Sequence, residues 1–250
     1  IVAGMKIKDL LDIDGVDKKK AVLGYVGTEE NADNISAYTA FYLGAESVIP
    51  EIKMKVKFID DQFDEDAEQK VAKALIANGC VVLAQQRDSD LIVDLCEQNR
   101  IYYVFNNKTM PNKSDYALTS SLNDWSSCYS FAINCLINGE KLPNSWSEGV
   151  DELSVDVSEI NKEAFAFDKN AEQATKLISQ AKEDLKSRKL YVFDIDNWKV
   201  NNKTIVTTLT DDLKTEYGGN EFIKDGHFIE YEMFSVPKFL FNVDGIEILT

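Results

Sequence analysis

A chain of 250 residues with 43 acidic against 27 basic side chains carries a formal net charge of −16. That balance repels a phosphate backbone, and the basic residues form no stripe longer than Lys18-Lys19-Lys20, which argues against nucleic acid as a partner. The length suffices for a substantial core, whereas no run of about 18 apolar residues and no signal-peptide pattern is present, so the chain as given reads as soluble.

The opening stretch 1–12 already has helical periodicity, with Val2, Met5 and Leu10 roughly on one face and no capping residue before it. That start suggests that chain precedes Ile1. A polar turn with Gly15 spans 12–20, and the apolar run 21–27 reads as a strand. A helix follows over about 31–48, with Ile35, Tyr38, Phe41, Tyr42 and Ala45 spread around much of its circumference, and Pro50 ends it. The next unit is a strand at 54–59, an acidic turn at 60–66 and a helix at about 66–78 closed by Gly79. Acidic residues in the first turn and glycine past the end suit the helix dipole and a left-handed cap.

A third unit runs from the strand 80–84 through the polar loop Gln85-Gln-Arg-Asp-Ser-Asp to a helix ending near Asn99, and a fourth strand covers 101–105. Strands alternating with amphipathic helices specify βαβ units, hence a parallel sheet covered by helices. Each strand then ends at a polar loop on the same sheet edge: 27–31, 60–66, 85–90 and 106–108. Parallel sheets bind small ligands at that edge. Beyond it, 116–120 reads as a short strand, 125–138 as a buried helix carrying Tyr129, Phe131, Ile133 and Leu136 and stopped by Gly139, and 170–187 as an amphipathic helix. Strand candidates at 190–194 and 204–209 precede a β-rich tail.

The chain carries little of the usual equipment for catalysis. One histidine, His227, removes histidine-based metal sites and most nucleophile–base pairs, and reads as a surface or packing residue. The four cysteines, Cys80, Cys96, Cys128 and Cys135, form no C-x-x-C pair and read as buried free thiols. The turn Gly24-Tyr-Val-Gly-Thr-Glu-Glu lacks phosphate-loop spacing and places glutamates where a phosphate would sit. Asp12-Ile-Asp14-Gly15 and 60–66 lack the ordered ligand set of a calcium loop. No metal and no cofactor is expected. What remains is an inventory for recognition: Tyr25, Phe63, Gln85, Gln86, Arg87, Asp88, Ser89, Asn106, Asn107, Asn123 and Trp125. Amides, hydroxyls and aromatic faces suit the binding of a small polar ligand.

Several segments in order carry a likeness to a known family. Ile1-Val-Ala-Gly-Met-Lys, Leu23-Gly-Tyr-Val-Gly, Tyr38-Thr-Ala-Phe-Tyr-Leu-Gly-Ala-Glu-Ser-Val-Ile-Pro, Ala74-Leu-Ile-Ala-Asn-Gly-Cys-Val-Val, Ala117-Leu-Thr-Ser and Asp225-Gly-His-Phe with Pro237 resemble the basic membrane protein family. These are substrate-binding lipoproteins of bacterial ABC importers that include purine-nucleoside receptors. The resemblance implies an α/β, periplasmic-binding-protein-like fold of type I. It has two lobes that close on ligand at a hinge, with the first lobe incomplete here. On that reading 1–20 is a helix and crossover from the truncated first lobe. Residues 21–105 are the second lobe, 106–169 the hinge crossings and remainder of that lobe, and 170–250 a return to the first lobe plus the tail. Exposed sheet edges of the truncated lobe would invite self-association. The implied partners are a small-molecule ligand and a membrane permease, and the implied location is extracytoplasmic, anchored as a lipoprotein.

Carried over by position, Phe63 matches the family's base-stacking phenylalanine. Asn106 falls where nucleoside-binding members place an aspartate for the ribose hydroxyls, Asn123 falls on a family lysine, and 85–88 replaces a Gly-rich ligand loop with larger polar side chains. The expected ligand set is Phe63, Gln86, Arg87, Asp88, Asn106, Asn123 and Trp125. A ligand sensor of the same fold is one alternative. Another is a magnesium-dependent phosphotransfer enzyme, since Val192-Phe-Asp194-Ile-Asp196 resembles the D-x-D strand end of haloacid-dehalogenase phosphotransferases; Trp198 stands where that motif wants Thr or Val.

Overall fold

The computed structural model describes residues 1–14, 22–59, 65–87, 89–108, 114–146, 149, 154–196, 198–204, 223–231, 236–237 and 239–250. The first half alternates as the periodicity requires: α1 (Val2–Leu11), β1 (Val22–Gly27), α2 (Ala32–Glu46), β2 (Lys53–Phe58), α3 (Glu65–Ala77), β3 (Val82–Gln85), α4 (Leu91–Asn99) and β4 (Tyr102–Asn106). Then come β5 (Ala117–Asn123), α5 (Ser126–Asn138), β6 (Val155–Val157), a short 3-10 turn at Lys162–Ala164 and α6 (Asp168–Lys186). The tail adds the two-residue strands β7 (Lys199–Val200), β8 (Lys203–Thr204), β9 (Ile223–Lys224), β10 (His227–Phe228), β11 (Glu230–Tyr231) and β12 (Val236–Pro237), and finally β13 (Ile246–Ile248).

One seven-stranded sheet of order β13-β2-β1-β3-β4-β5-β6 organises the molecule. Its pairings are parallel except β5 with β6, which run antiparallel. Side chains alternate between two apolar layers, as a strand's period of two dictates. Leu23, Tyr25, Met54, Val56, Val82 and Ala84 join residues of α1, α2 and α6 on one face. Val26, Leu83, Tyr103 and Phe105 join residues of α3 and α4 on the other. β1 is therefore buried on both faces, which is why 21–27 reads as a continuous apolar run.

Helix ends follow local chemistry. Asn31 caps α2 by accepting from the Asn34 N–H at 3.0 Å, and Gly79 and Gly139 take the left-handed backbone expected just past α3 and α5, at φ of 85° and 71°. Gly4 lets α1 approach α2, since a Cβ there would sit 2.8 Å from the Ala45 carbonyl oxygen. Gly245, at φ 105°, leaves no room for a Cβ beside the Tyr42 hydroxyl, 2.0 Å away, and its carbonyl receives the Met54 N–H at the start of the β2–β13 pairing.

The expected cysteine chemistry holds: all four are free thiols, with Cys80, Cys96 and Cys135 buried, and burial pushes Cys80 and Cys96 up to about 12. Three readings need correction. α5 is not a buried helix: Tyr129, Ile133, Leu136 and Ile137 are between 54% and 75% exposed, and Cys135 is its buried residue. Residues 190–194 form no strand; Asp194 makes only an isolated bridge to His227, whose ring stacks on Tyr191 at 3.8 Å. Tyr25 is core, packed edge-on against Tyr38. Most of the candidate strand at 204–209 lies outside the described residues. The tail instead folds around an aromatic cluster of Phe193, Trp198, Phe228 and Phe239, and Asp244 pins the Asn201–Asn202 turn by accepting both backbone N–H groups at 2.9 Å.

The sequence after β6 is bound back onto the sheet by one buried ion pair. Lys6 and Asp9, 1% and 0% exposed, meet at 2.7 Å within α1; Lys6 also donates to the Ala164 carbonyl at 2.6 Å and lies 4.2 Å from the Tyr102 ring centre. Asp9 accepts the Ala166 and Phe167 N–H groups and the Asn170 amide at 2.8–3.0 Å, so its carboxylate is the N-terminal anchor of α6. Burial alone would raise its pKa, but the bonds from Lys6, Ala166 and Asn170 and the Lys6 charge outweigh that and hold it below the ordinary aspartate value.

Removing one member of such a pair leaves an uncompensated buried group, at a cost of about 3–5 kcal/mol. Asp9→Ala is expected to lose that much in urea denaturation, and Lys6→Met less, because three N–H donors still satisfy Asp9. With the folded pKa depressed, the carboxylate's contribution is complete above its unfolded value of about 3.9. It is lost as pH falls through the folded value, and Asp9→Asn removes that part of the acid dependence.

Candidate functional site

The order β2-β1-β3 makes the C-terminal ends of β1 and β3 the place where the chain changes face. α2, which follows β1, lies on one side of the sheet and α4, which follows β3, on the other. The connections diverge there, which is the usual ligand position in an open parallel sheet. A row of polar groups crosses this edge. The Gln86 side-chain amide donates to the Asp33 carboxylate at 2.6 Å, Asn106 donates to the Gln86 carbonyl at 2.5 Å, and the Ser121 hydroxyl donates to the Asn106 carbonyl oxygen at 3.2 Å. Asn107, in the left-handed region at φ 53°, extends the row by accepting the Asn123 N–H at 3.1 Å. On the β1 side, Asn34 accepts the Thr28 N–H at 3.1 Å, stiffening the loop into α2.

Of the residues expected to bind ligand, Gln86 and Asn106 touch directly and Asn123 joins them through Asn107. Arg87 sits beside them but reaches toward α3, its guanidinium 3.5 Å from the buried Glu68 carboxylate. Trp125 is exposed at the start of α5, where Asp124 accepts the Ser126 N–H. Phe63 and Asp88 lie outside the described residues. Asp33, Glu68 and Ser121 were not singled out from sequence. Nothing local marks Asp33, Ser121 or Glu68, whose partners come from other strands and loops.

Charges here are mostly paired: Lys108 meets Asp90 at 2.6 Å. Among the described residues no cluster of histidine, cysteine, aspartate or glutamate could hold a metal ion. Asp194 and Asp196 do not present a nucleophile–acid pair at a strand end; the Asp194 carboxylate accepts the Asp196 N–H at 3.0 Å, closing a turn. Two cavities open away from this edge. One of about 380 Å³, lined by Ile7, Val81, Arg100, Tyr102 and Tyr116, is at the opposite sheet edge, and one of about 260 Å³ lies between α1, α6 and β5.

Fold and edge together define an α/β domain built on an open, mostly parallel sheet. Solved structures share this fold: an ABC transporter solute-binding protein of Aeropyrum pernix (TM-score 0.58, 12% identity, 87% of this chain and 67% of that one) and one of Conexibacter woesei (0.56, 13%, 76% and 61%). The chain belongs to the Bmp family, ABC transporter substrate-binding protein PnrA-like, whose profile matches residues 15–190. Curated relatives include a purine-binding protein of Brucella abortus, 28% identical over 130 residues, and a putative ABC transporter glucose-binding protein of Haloferax volcanii, 29% identical over 126. The matches take in 51% and 50% of this chain and 37% and 32% of those proteins, so it spans about a third of their length.

Asn106→Ala deletes the bond to the Gln86 carbonyl and the one from Ser121. At about 1 kcal/mol for each, stability in urea is expected to fall by about 2 kcal/mol. Asn106→Asp, which cannot donate to that carbonyl at neutral pH, is expected to lose at least as much.

Proposed function

We propose that this chain supplies one lobe of the extracytoplasmic receptor of an ABC importer, and that its ligand is a small planar polar molecule of the purine base or nucleoside type. The observation that carries this reading is the hydrogen-bonded row Asp33–Gln86–Asn106–Ser121 at the sheet's switch point, where paired amides present edges to a ligand and, among the described residues, no group is poised to break a bond. Family membership supports the receptor role, and the purine-binding relative supports the ligand class.

In this reading α1 and α6 belong to the same lobe as β1–β4, because their side chains share one apolar cluster. The apolar face of α5 turns toward the other lobe: a helix with Tyr129, Ile133, Leu136 and Ile137 in water has a covering surface elsewhere in the working protein. Ligand enters between the lobes, Gln86, Asn106 and Asn123 hydrogen-bond its polar edge, Phe63 or Trp125 stacks on its face, and Arg87 and Asp88 are the remaining members of the set. Closure then alters the surface offered to a membrane permease. No helix among the described residues is long and apolar enough to cross a membrane, so attachment to the membrane would come from elsewhere, a lipid anchor being the family's device.

Ligand that binds only the folded state stabilises it by about 2.7 kcal/mol at a hundredfold excess over Kd. A thermal-unfolding panel should therefore show a rise in Tm with a purine base or nucleoside and none with glucose. A flat response to every purine would contradict the ligand class, and a rise with glucose alone would replace it.

A further inference from the structure

Asn34 is a buried amide, 2% exposed, whose side-chain bonds serve the loop after β1 rather than the end of its own helix. Its Oδ1 accepts the Thr28 N–H at 3.1 Å, and its Nδ2 donates to the Thr28 hydroxyl at 3.0 Å and to the Asn31 side-chain oxygen at 3.3 Å. A backbone N–H only donates, so the oxygen of this amide must face Thr28 and its orientation is fixed. The cap of α2 is a different residue, Asn31, which accepts the Asn34 N–H at 3.0 Å. Just before the loop, the Gly27 carbonyl accepts the Ile59 N–H at 3.0 Å. The connection from β1 to α2 is therefore tied at both of its ends.

Asp33 stands next to Asn34 in the first turn of α2, and its exposed carboxylate accepts the Gln86 side-chain amide at 2.6 Å. Glutamine is rich in rotamers, and ordering one costs entropy. Where the Gln86 amide points is set by Asp33, and where Asp33 stands is set by the backbone that Asn34 ties down. Resting on the receptor reading above, we propose that Asn34 is a positioning residue of the site: it touches no ligand and acts through Asp33 to hold Gln86 in place before ligand arrives. A side chain ordered in advance loses no further freedom on binding, which is how preorganisation strengthens a complex. An asparagine that only stabilised the domain would have effects indifferent to Gln86.

The side-chain NH2 resonances of Gln86 in ligand-free protein read this positioning directly. They are expected at dispersed shifts in the unmodified protein and close to those of free glutamine in Asn34→Ala; resonances left unchanged by the substitution overturn the inference. Calorimetric titration with adenosine supplies a double-mutant cycle. Asn34→Ala is expected to weaken binding between about two- and tenfold, the worth of one side chain ordered in advance, and to cost nothing further in the Gln86→Ala background. An equal loss in both backgrounds assigns Asn34 a general structural role and overturns the inference. Thr28→Val removes the hydroxyl partner and keeps the backbone N–H, and it repeats both measurements with a milder cut, so poor folding of Asn34→Ala does not shield the proposal. If the unmodified protein binds neither adenosine nor adenine, the purine reading fails, and the Gln86 resonances alone decide the role of Asn34.

Discussion

The burial of β1 on both faces is the constraint from which the rest of the molecule follows. A strand between β2 and β3 must be covered above and below, so α2 has to lie on one face and α3 and α4 on the other. That divergence opens the sheet's C-terminal edge at β1 and β3 and nowhere else along β1–β4. The polar row from Asp33 to Ser121 lies across this opening because those residues are the ends of the strands and the first turns of the helices that flank it. The polar row and the core packing are thus two consequences of one topology.

The same topology explains why a buried charge is kept in α1. Once the chain leaves the sheet at β6, nothing in local sequence brings it back over α1; the Asp9 carboxylate does so by collecting the N–H groups at the start of α6, with Lys6 offsetting its charge. Without that anchor the apolar face formed by Ala171 and Ala174 would have no fixed position on the sheet. A hydrophobic replacement of the pair would pack, but would not mark which turn of the returning chain belongs there.

Much of the parallel core was legible beforehand, because continuous apolar runs of strand length separated by amphipathic helices leave few alternatives. The four strands β1–β4 and the three helices between them are present where periodicity places them, and Gln86 and Asn106 stand at strand ends as read. Pairings between distant segments were not legible. β13 alternates Ile246-Glu247-Ile248 like any edge strand, and only the fold shows it beside β2, almost two hundred residues away in sequence. For α5 the pattern reported an apolar face and burial was assumed; periodicity says which side of a helix avoids water, not what covers it. Asp33, Ser121 and Glu68 escaped notice for a related reason: their roles are bonds to other strands and loops.

In the proposed function, ligand meets this chain at the C-terminal ends of β1, β3 and β4. Backbone amide chemical-shift mapping during titration with adenine measures that place directly. Perturbations concentrated at Thr28, Asp33, Gln86, Asn106 and Ser121 are the expected result. Perturbations centred instead on Arg100, Tyr102 and Tyr116, around the cavity at the opposite edge of the sheet, would contradict it.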